Sequence, residues 1–487
     1  MDAVFLARLQ FAFTVGFHFL FPPVTIGMAW VIAGMMWKWK RTGEEFWLRV
    51  SRFWIKLFAI TFAAGVATGI TMEFQFGTNW AEYSRFVGDI FGAPLAAEAI
   101  FAFFLESTFL GVLLFGFGRF SRTTLFVAAL LVAVGSTLSA FWIIVANSWM
   151  QTPAGFELVG GRAELTDFWA AVFNPSTLPR YTHTIAASLT TGALFVLGVS
   201  ASLLRRGKSV EEAKASLRVA LVVAFAATVA QLGTGHWHGM QVAETQPIKL
   251  AATEGLFDTQ RRAPFVVFAI PDAERERLAA AVEVPGLLSW LSFADFDAEV
   301  QGLREVPPED RPPLGEVFFS FRAMIALWGW FLLLTAVGLF LLWRRRLFEQ
   351  RWWLRLAVWT IPLPFLANEV GWMVAELGRQ PWAIQGVLRT RDAISVNVPA
   401  WQILASLVMF GLIYALLFVA WLYLLRKHVR RGPEPAAATA GAGGDGTPAG
   451  VGTAPASRGD APEGGAEPPA ENGAGAPAGG DGKAGDR

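Results

Sequence analysis

Long apolar runs alternate with short polar connectors along this chain. Nine runs stand out, near residues 11–37, 53–77, 95–117, 124–148, 181–204, 217–241, 319–343, 355–375 and 401–425. A helix rises about 1.5 Å per residue, so roughly 20 residues cross the ~30 Å hydrocarbon layer of a membrane. Each run is predicted to be a spanning helix. The fold class is therefore all-α, a polytopic membrane helical bundle of about nine transmembrane helices.

The polar connectors carry a direction. Lys and Arg of short loops favour the cytoplasmic side. Basic residues follow the first run (Lys38, Lys40, Arg41, Arg49, Arg52), the fifth (Arg205, Arg206, Lys208, Lys214, Arg218) and the seventh (Arg344, Arg345, Arg346, Arg351, Arg355). Arg426, Lys427, Arg430 and Arg431 follow the ninth, whereas 79–93 holds only Arg85 and 150–178 only Arg162. The N-terminus is expected outside and the C-terminus in the cytoplasm. Residues 1–241 then hold transmembrane helices 1–6, and 319–431 hold helices 7–9. Between them, 242–318 form an extracytoplasmic loop too long to be a simple connector, and long loops are often functional. Residues 432–487 are mostly Gly, Ala, Pro, Glu and Asp and read as a disordered cytoplasmic tail.

Composition agrees and narrows the chemistry. The chain of 487 residues is 54% hydrophobic and 16% charged, with 21 Trp and 42 Phe; soluble proteins carry about a quarter charged residues. The first run is long enough to stay as a spanning helix, with no cleavable signal before it. A net charge of +1 gives no reason to expect nucleic acid as a partner. The chain has no cysteine, which excludes disulfides, iron–sulfur clusters, thiolate-bound haem and covalent haem attachment. Without an internal repeat, a transporter of repeated halves gains little support.

Ionisable groups inside membrane helices are costly, so each is a functional candidate. By the orientation above, His18, His183, Met324, Glu98 and Glu376 lie on five different spans in the same outer leaflet. One cluster explains that shared depth better than five accidents. His and Met ligate haem iron, a His/Met pair giving an electron-transfer haem. Phe and Trp would pack on porphyrin faces, although they also serve as ordinary interfacial residues. With only five histidines, a haem–copper core needing six cannot form, and the paired histidines of a four-helix cytochrome b are lacking.

Several segments together resemble subunit I of the cytochrome bd-type quinol oxidases. They are RLQFAFTVGFH at 8–18, GVATGITMEFQFGTNW at 65–80, FGAPLAAEAIFAFFLEST at 91–108, FRAM at 321–324 and GWMVAELGRQPW at 371–382. The resemblance covers almost all of residues 1–430, and 256–318 match least well. It implies that His183 and Met324 are axial ligands of a low-spin haem b. It further implies that His18 and Glu376 hold the two remaining haems, a high-spin haem b and haem d, or a third haem b in place of haem d. Glu98 would ligate or pass protons beside them. Arg322 and Arg379 would neutralise haem propionates or Glu376, and Trp372 and Trp382 would lie beside the cofactors. In the outer loop, Gln246, Lys249 and Glu254 would bind quinol, in the branch of the family with a short loop. A relay of Glu106, Ser139 and Glu98 would bring protons from the cytoplasm.

The function so implied is quinol oxidation at the outer face and reduction of O2 to water through three haems. Proton-motive force would arise by scalar chemistry, without a pump. The expected setting is the bacterial cytoplasmic (inner) membrane, with membrane lipids around the chain, subunit II as partner and a small single-span subunit beside it. Two other readings compete, a non-haem polytopic transporter and a haem-containing sensor or assembly subunit without turnover. His236 and His238 read as interfacial anchors and His428 as solvated. Glu73 and Asn147 read as part of the haem or quinol surroundings.

Overall fold

The apolar runs fold as helices. In the computed structural model, which describes residues 2–433, the first run comprises α1 (Ala3–Phe19) and α2 (Pro22–Thr42), and the second is α3 (Glu45–Asn79). The third comprises α4 (Ala81–Ala97) and α5 (Phe104–Phe115), and the fourth is α6 (Arg122–Gln151). A hairpin of Phe156–Val159 and Arg162–Leu165 and the short α7 (Phe168–Val172) lead into α8 (Thr177–Arg205) and α9 (Val210–Thr245). The outer segment contributes α10 (Pro247–Glu254) and α11 (Leu287–Phe293). Then follow α12 (Leu314–Trp343), α13 (Arg351–Trp359), α14 (Leu363–Leu377) and α15 (Ala400–Arg431). The expected tail, from residue 434 on, lies outside the described residues.

Eight stretches among the described residues are long and apolar enough to cross a membrane. The ninth expected span, 355–375, is instead two shorter helices, α13 and α14, parted at residues 360–362. Pro362 and Pro364 explain the break: proline has no N–H to donate to a preceding turn, yet its fixed φ suits the first turn of a new helix. The same chemistry at Pro22 and Pro23 parts α1 from α2. Between α4 and α5 the chain makes a π-helical turn at Glu98–Phe103. Such turns are frequent at functional sites, and this one begins at a candidate residue.

The bundle core is built chiefly from α2, α3, α6, α8, α9, α12 and α13, with Trp54, Trp353, Phe58, Met35 and Met36 fully buried. Gly27 of α2 and Gly192 of α8 face each other so closely that a Cβ on either would overlap the other backbone. Small residues permit this approach where lipid gives no hydrophobic drive between helices. Helices α8, α9, α12 and α14 pack as a closed ring, α8 on α9, α9 on α12, α12 on α14 and α14 on α8. The outer segment has its own core of Leu250, Ala251, Leu256, Phe257, Ala263, Leu288, Val300 and Leu303, so it is a folded unit seated on the ends of α9 and α12.

Candidate functional site

The ring of four helices carries His183 and Met324 on α8 and α12, its diagonal members. His183 lies six residues into α8 and Met324 ten into α12, about 9 and 15 Å from helix ends on the loop side. Each faces a glycine of the next helix. A Cβ on Gly235 of α9 would come to 3.2 Å from His183 Cε1, and one on Gly371 of α14 to 3.1 Å from Met324 Sδ. His183 Nδ1 sits 3.3 Å from the Thr234 hydroxyl, which orients the ring and leaves Nε2 for a metal. His18, near the end of α1, repeats the arrangement: Nδ1 is 3.0 Å from Thr68 Oγ1, and a Cβ on Gly69 would meet its Cε1 at 3.2 Å.

Glu376 ends α14 in a dense polar cluster. Its Oε1 accepts from Asn147 Nδ2 at 2.9 Å, and its Oε2 accepts from Arg379 Nη2. Arg180, at the start of α8, donates to Asn147 Oδ1. Two buried guanidiniums therefore flank one carboxylate. Arg180 Nε, Arg379 Nε and Arg379 Nη1 are buried without partners. Unmatched buried donors of this kind are costly unless an anion completes them.

The outer loop reaches directly into this cluster. α10 begins at Pro247 and stops at Gly255, whose positive φ of 68° ends the helix. It buries Lys249 and Glu254, 4% and 2% exposed. Lys249 Nζ donates to Gln246 Oε1 at 2.8 Å and to Gln151 Oε1. Its stem lies on Gly378, where a Cβ would meet Lys249 Cγ at 2.7 Å. Burial, with Arg180 and Arg379 nearby, holds the Lys249 ammonium well below the usual lysine range. Glu254 accepts from Arg322 Nη2 at 2.6 Å and from the Val266 amide at 3.4 Å. Burial pushes the Glu254 carboxyl up, and Arg322 pulls the other way. Arg322 thus pairs with the loop acid and leaves Glu376 to Arg379. Its guanidinium lies over Phe318 at 4.7 Å and Phe265 at 5.1 Å, with Nε buried and unpartnered.

The proton-relay candidates line the π-helical turn, α5 and α6. Ser139 Oγ donates to Glu98 Oε1 at 2.7 Å. Glu106 takes its hydrogen bond from Ser136 rather than Ser139. The two serines are neighbours on one face of α6, so the order along the seam is Glu106, Ser136, Ser139, Glu98. Trp372 stacks on Phe11 at 6.2 Å, which joins α14 to α1 near His18. Trp382 is covered by the Arg389 guanidinium at 4.6 Å, so its contact is with the strand that follows it.

Five polar groups of this site escaped the sequence reading: Arg180, Gln151, Ser136, and the threonines behind the histidines. A sixth is Glu369 of α14, whose Oε2 lies 3.2 Å from where a Gly16 Cβ would stand and whose Oε1 is buried without a partner. His238 lies beside His183, ring centroids 5.9 Å apart. His236 is exposed and stacks on Trp290 of α11 at 6.3 Å.

The residues present suit haem. Both histidines are anchored through Nδ1, glycines clear the space beside three ligand-type side chains, and unpaired buried guanidinium nitrogens await carboxylates such as propionates.

A family model described as cytochrome bd terminal oxidase subunit I matches residues 6–433. The chain is 40% identical over 444 residues to cytochrome bd ubiquinol oxidase subunit 1 of Bacillus subtilis (strain 168), covering 89% of this chain and 95% of that protein. Cytochrome bd-II ubiquinol oxidase subunit 1 of Escherichia coli (strain K12) is 38% identical over 501 residues, covering 89% and 97%. Among solved structures, bd oxidase from Geobacillus thermodenitrificans matches with a TM-score of 0.84 at 32% identity, over 89% of this chain and 99% of that one.

Proposed function

Because the chain belongs to the cytochrome bd terminal oxidase subunit I family, we propose a division of labour among its residues in that family's reaction. It is a multi-pass subunit of a bacterial cytoplasmic-membrane enzyme, a quinol:oxygen oxidoreductase that works with haem and with a subunit II partner. Bound haem supplies the one-electron chemistry between quinol and oxygen. His183 and Met324 hold a low-spin haem b, and His18 and Glu376 hold a high-spin haem b and haem d or a third haem b. Glu376 suits this role because a carboxylate has about four lone-pair sites, and Asn147 and Arg379 take two. Arg180, Arg322 and Arg379 neutralise propionates with their unpaired nitrogens.

The loop does the quinol chemistry. A quinol releases two protons as it gives up two electrons. Glu254 accepts one, and Lys249 with Gln246 holds the quinol oxygen. The released protons leave on the loop side. Protons consumed in making water enter from the opposite side through Glu106, Ser136, Ser139 and Glu98. The membrane is thereby charged without a pump.

The observation that supports the reading is the ring whose diagonal helices carry His183 and Met324, each packed against a glycine of the next helix. Pyridine haemochrome analysis and a reduced-minus-oxidised spectrum of the purified oxidase test it. Three haems and quinol-driven oxygen uptake are expected, with Met324→Leu removing the low-spin signal while the protein stays in the membrane. A spectrum unchanged by that substitution rejects the His183/Met324 pair.

A further inference from the structure

Lys249 is a buried lysine held by amides. In its protonated form it has three N–H donors. Gln151 and Gln246 accept two of them, which leaves one to direct at a quinol oxygen. Gln246 belongs to the loop itself. Gln151 is the last residue of α6, fully buried, and is the bundle's own contribution to the trio.

Its carboxamide faces two ways. The oxygen accepts from Lys249 Nζ and from Gln246 Nε2 at 3.0 Å, and the nitrogen donates to the Ala375 carbonyl at 3.3 Å. Two donors on one side and a carbonyl on the other fix the orientation of the amide. Ala375 immediately precedes Glu376. One turn earlier on the same face of α6, Asn147 donates to the Glu376 carboxylate. The backbone reinforces the joint: the Gln385 amide donates to the Met150 carbonyl at 3.0 Å. The end of α6 is thus bonded at once to the quinol loop and to the haem-side end of α14.

We infer that Gln151 is a positioning residue for quinol oxidation, a two-sided clamp that holds Lys249 and Gln246 in register with the Glu376 end of α14. The inference rests on the assignment of Lys249 to the quinol site. Apolar replacement removes the shared acceptor, so two buried donors lose a partner and the lysine turns away from its productive direction.

The test uses the assembled oxidase in its membranes, with ubiquinol-1 as donor, and compares Gln151→Met, Gln151→Glu and Lys249→Met. Losing a buried acceptor is expected to raise KM for quinol about tenfold in Gln151→Met, with kcat within about threefold of wild type. The haem spectrum stays intact. Gln151→Glu keeps an oxygen facing the two donors and should bring KM back to within about threefold of wild type. A wild-type KM in Gln151→Met, with Lys249→Met impaired, overturns the clamp. A wild-type KM in Lys249→Met overturns the quinol assignment beneath it. Loss of a haem signal in Gln151→Met also overturns the clamp, since it makes Gln151 a prop for Glu376.

Discussion

The acids at the loop end of the bundle and those along the π-turn and α5 are held in opposite ways. Glu376 and Glu254 each face a guanidinium, from Arg379 and Arg322. Glu98 and Glu106 are bound by serine hydroxyls. Protonating Glu376 would break an ion pair and leave Arg379 and Arg180 without a counter-charge inside the protein. Protonating Glu98 or Glu106 sacrifices no ion pair, since a hydroxyl can donate or accept. The first arrangement suits fixed charge that positions groups; the second suits protons in transit. On the proposed reading, similar residues take two jobs according to the partner that each was given.

The largest effect should come from breaking the fixed charge. Arg379→Leu leaves Glu376 buried opposite Asn147 and Arg180. Removing one partner of a buried pair costs about 3–5 kcal/mol. The variant should lose a haem by pyridine haemochrome and melt well below wild type; unchanged haem and melting would end the contrast at its charged pole. Glu106→Gln attacks the other pole. It should leave haem content and melting unchanged while oxygen uptake falls about a hundredfold, within the range for removing a proton-transfer group. A variant that turned over normally would make Glu106 a structural group.

Glu254 stands between the two classes and sharpens them. It is paired with Arg322, yet the role proposed for it in quinol oxidation is to take a proton. Arg322 favours its ionised form, so Arg322→Leu raises the Glu254 carboxyl further. A base must be ionised to accept, so the acidic limb of kcat/KM for quinol should move to higher pH. Glu254→Ala should remove that limb and lower quinol oxidation about tenfold or more, with haem spectra intact. Steady-state kinetics across pH checks both; an unmoved limb in Arg322→Leu would show that another group sets it.

The fold was legible because a membrane permits few answers: a run of about 20 apolar residues has to be a helix. Even the break between α13 and α14 was written in the prolines of IPLP at 361–364. The candidate site was legible one residue at a time. His18, His183, Met324 and Glu376 carry chemistry that is rare at membrane depth, whereas Asn147, Gln151, Ser136, Thr68 and Thr234 are ordinary helix residues whose meaning lies in the partner across the packing. Glu369 is a different miss. It is a carboxyl within a predicted span, and the rule that selected Glu98 and Glu376 applies to it equally. Arg180 escaped because the span was drawn to begin one residue later.

The smallest predicted effect separates the two serines. Ser139 and Ser136 each give one hydrogen bond to an acid, and a single such bond contributes about 1 kcal/mol. Stability alone will hardly distinguish Ser139→Ala from Ser136→Ala. Turnover should. If the seam runs Glu106, Ser136, Ser139, Glu98, both hydroxyls lie in series, and removing either slows oxygen uptake by a similar factor of about three to ten, while the double variant falls no further than the worse single. If Ser136 only props Glu106, its loss leaves turnover unchanged and Ser139→Ala alone is slow. Oxygen uptake by the three variants at saturating quinol decides whether the hydroxyls of α6 form a path or merely hold its ends.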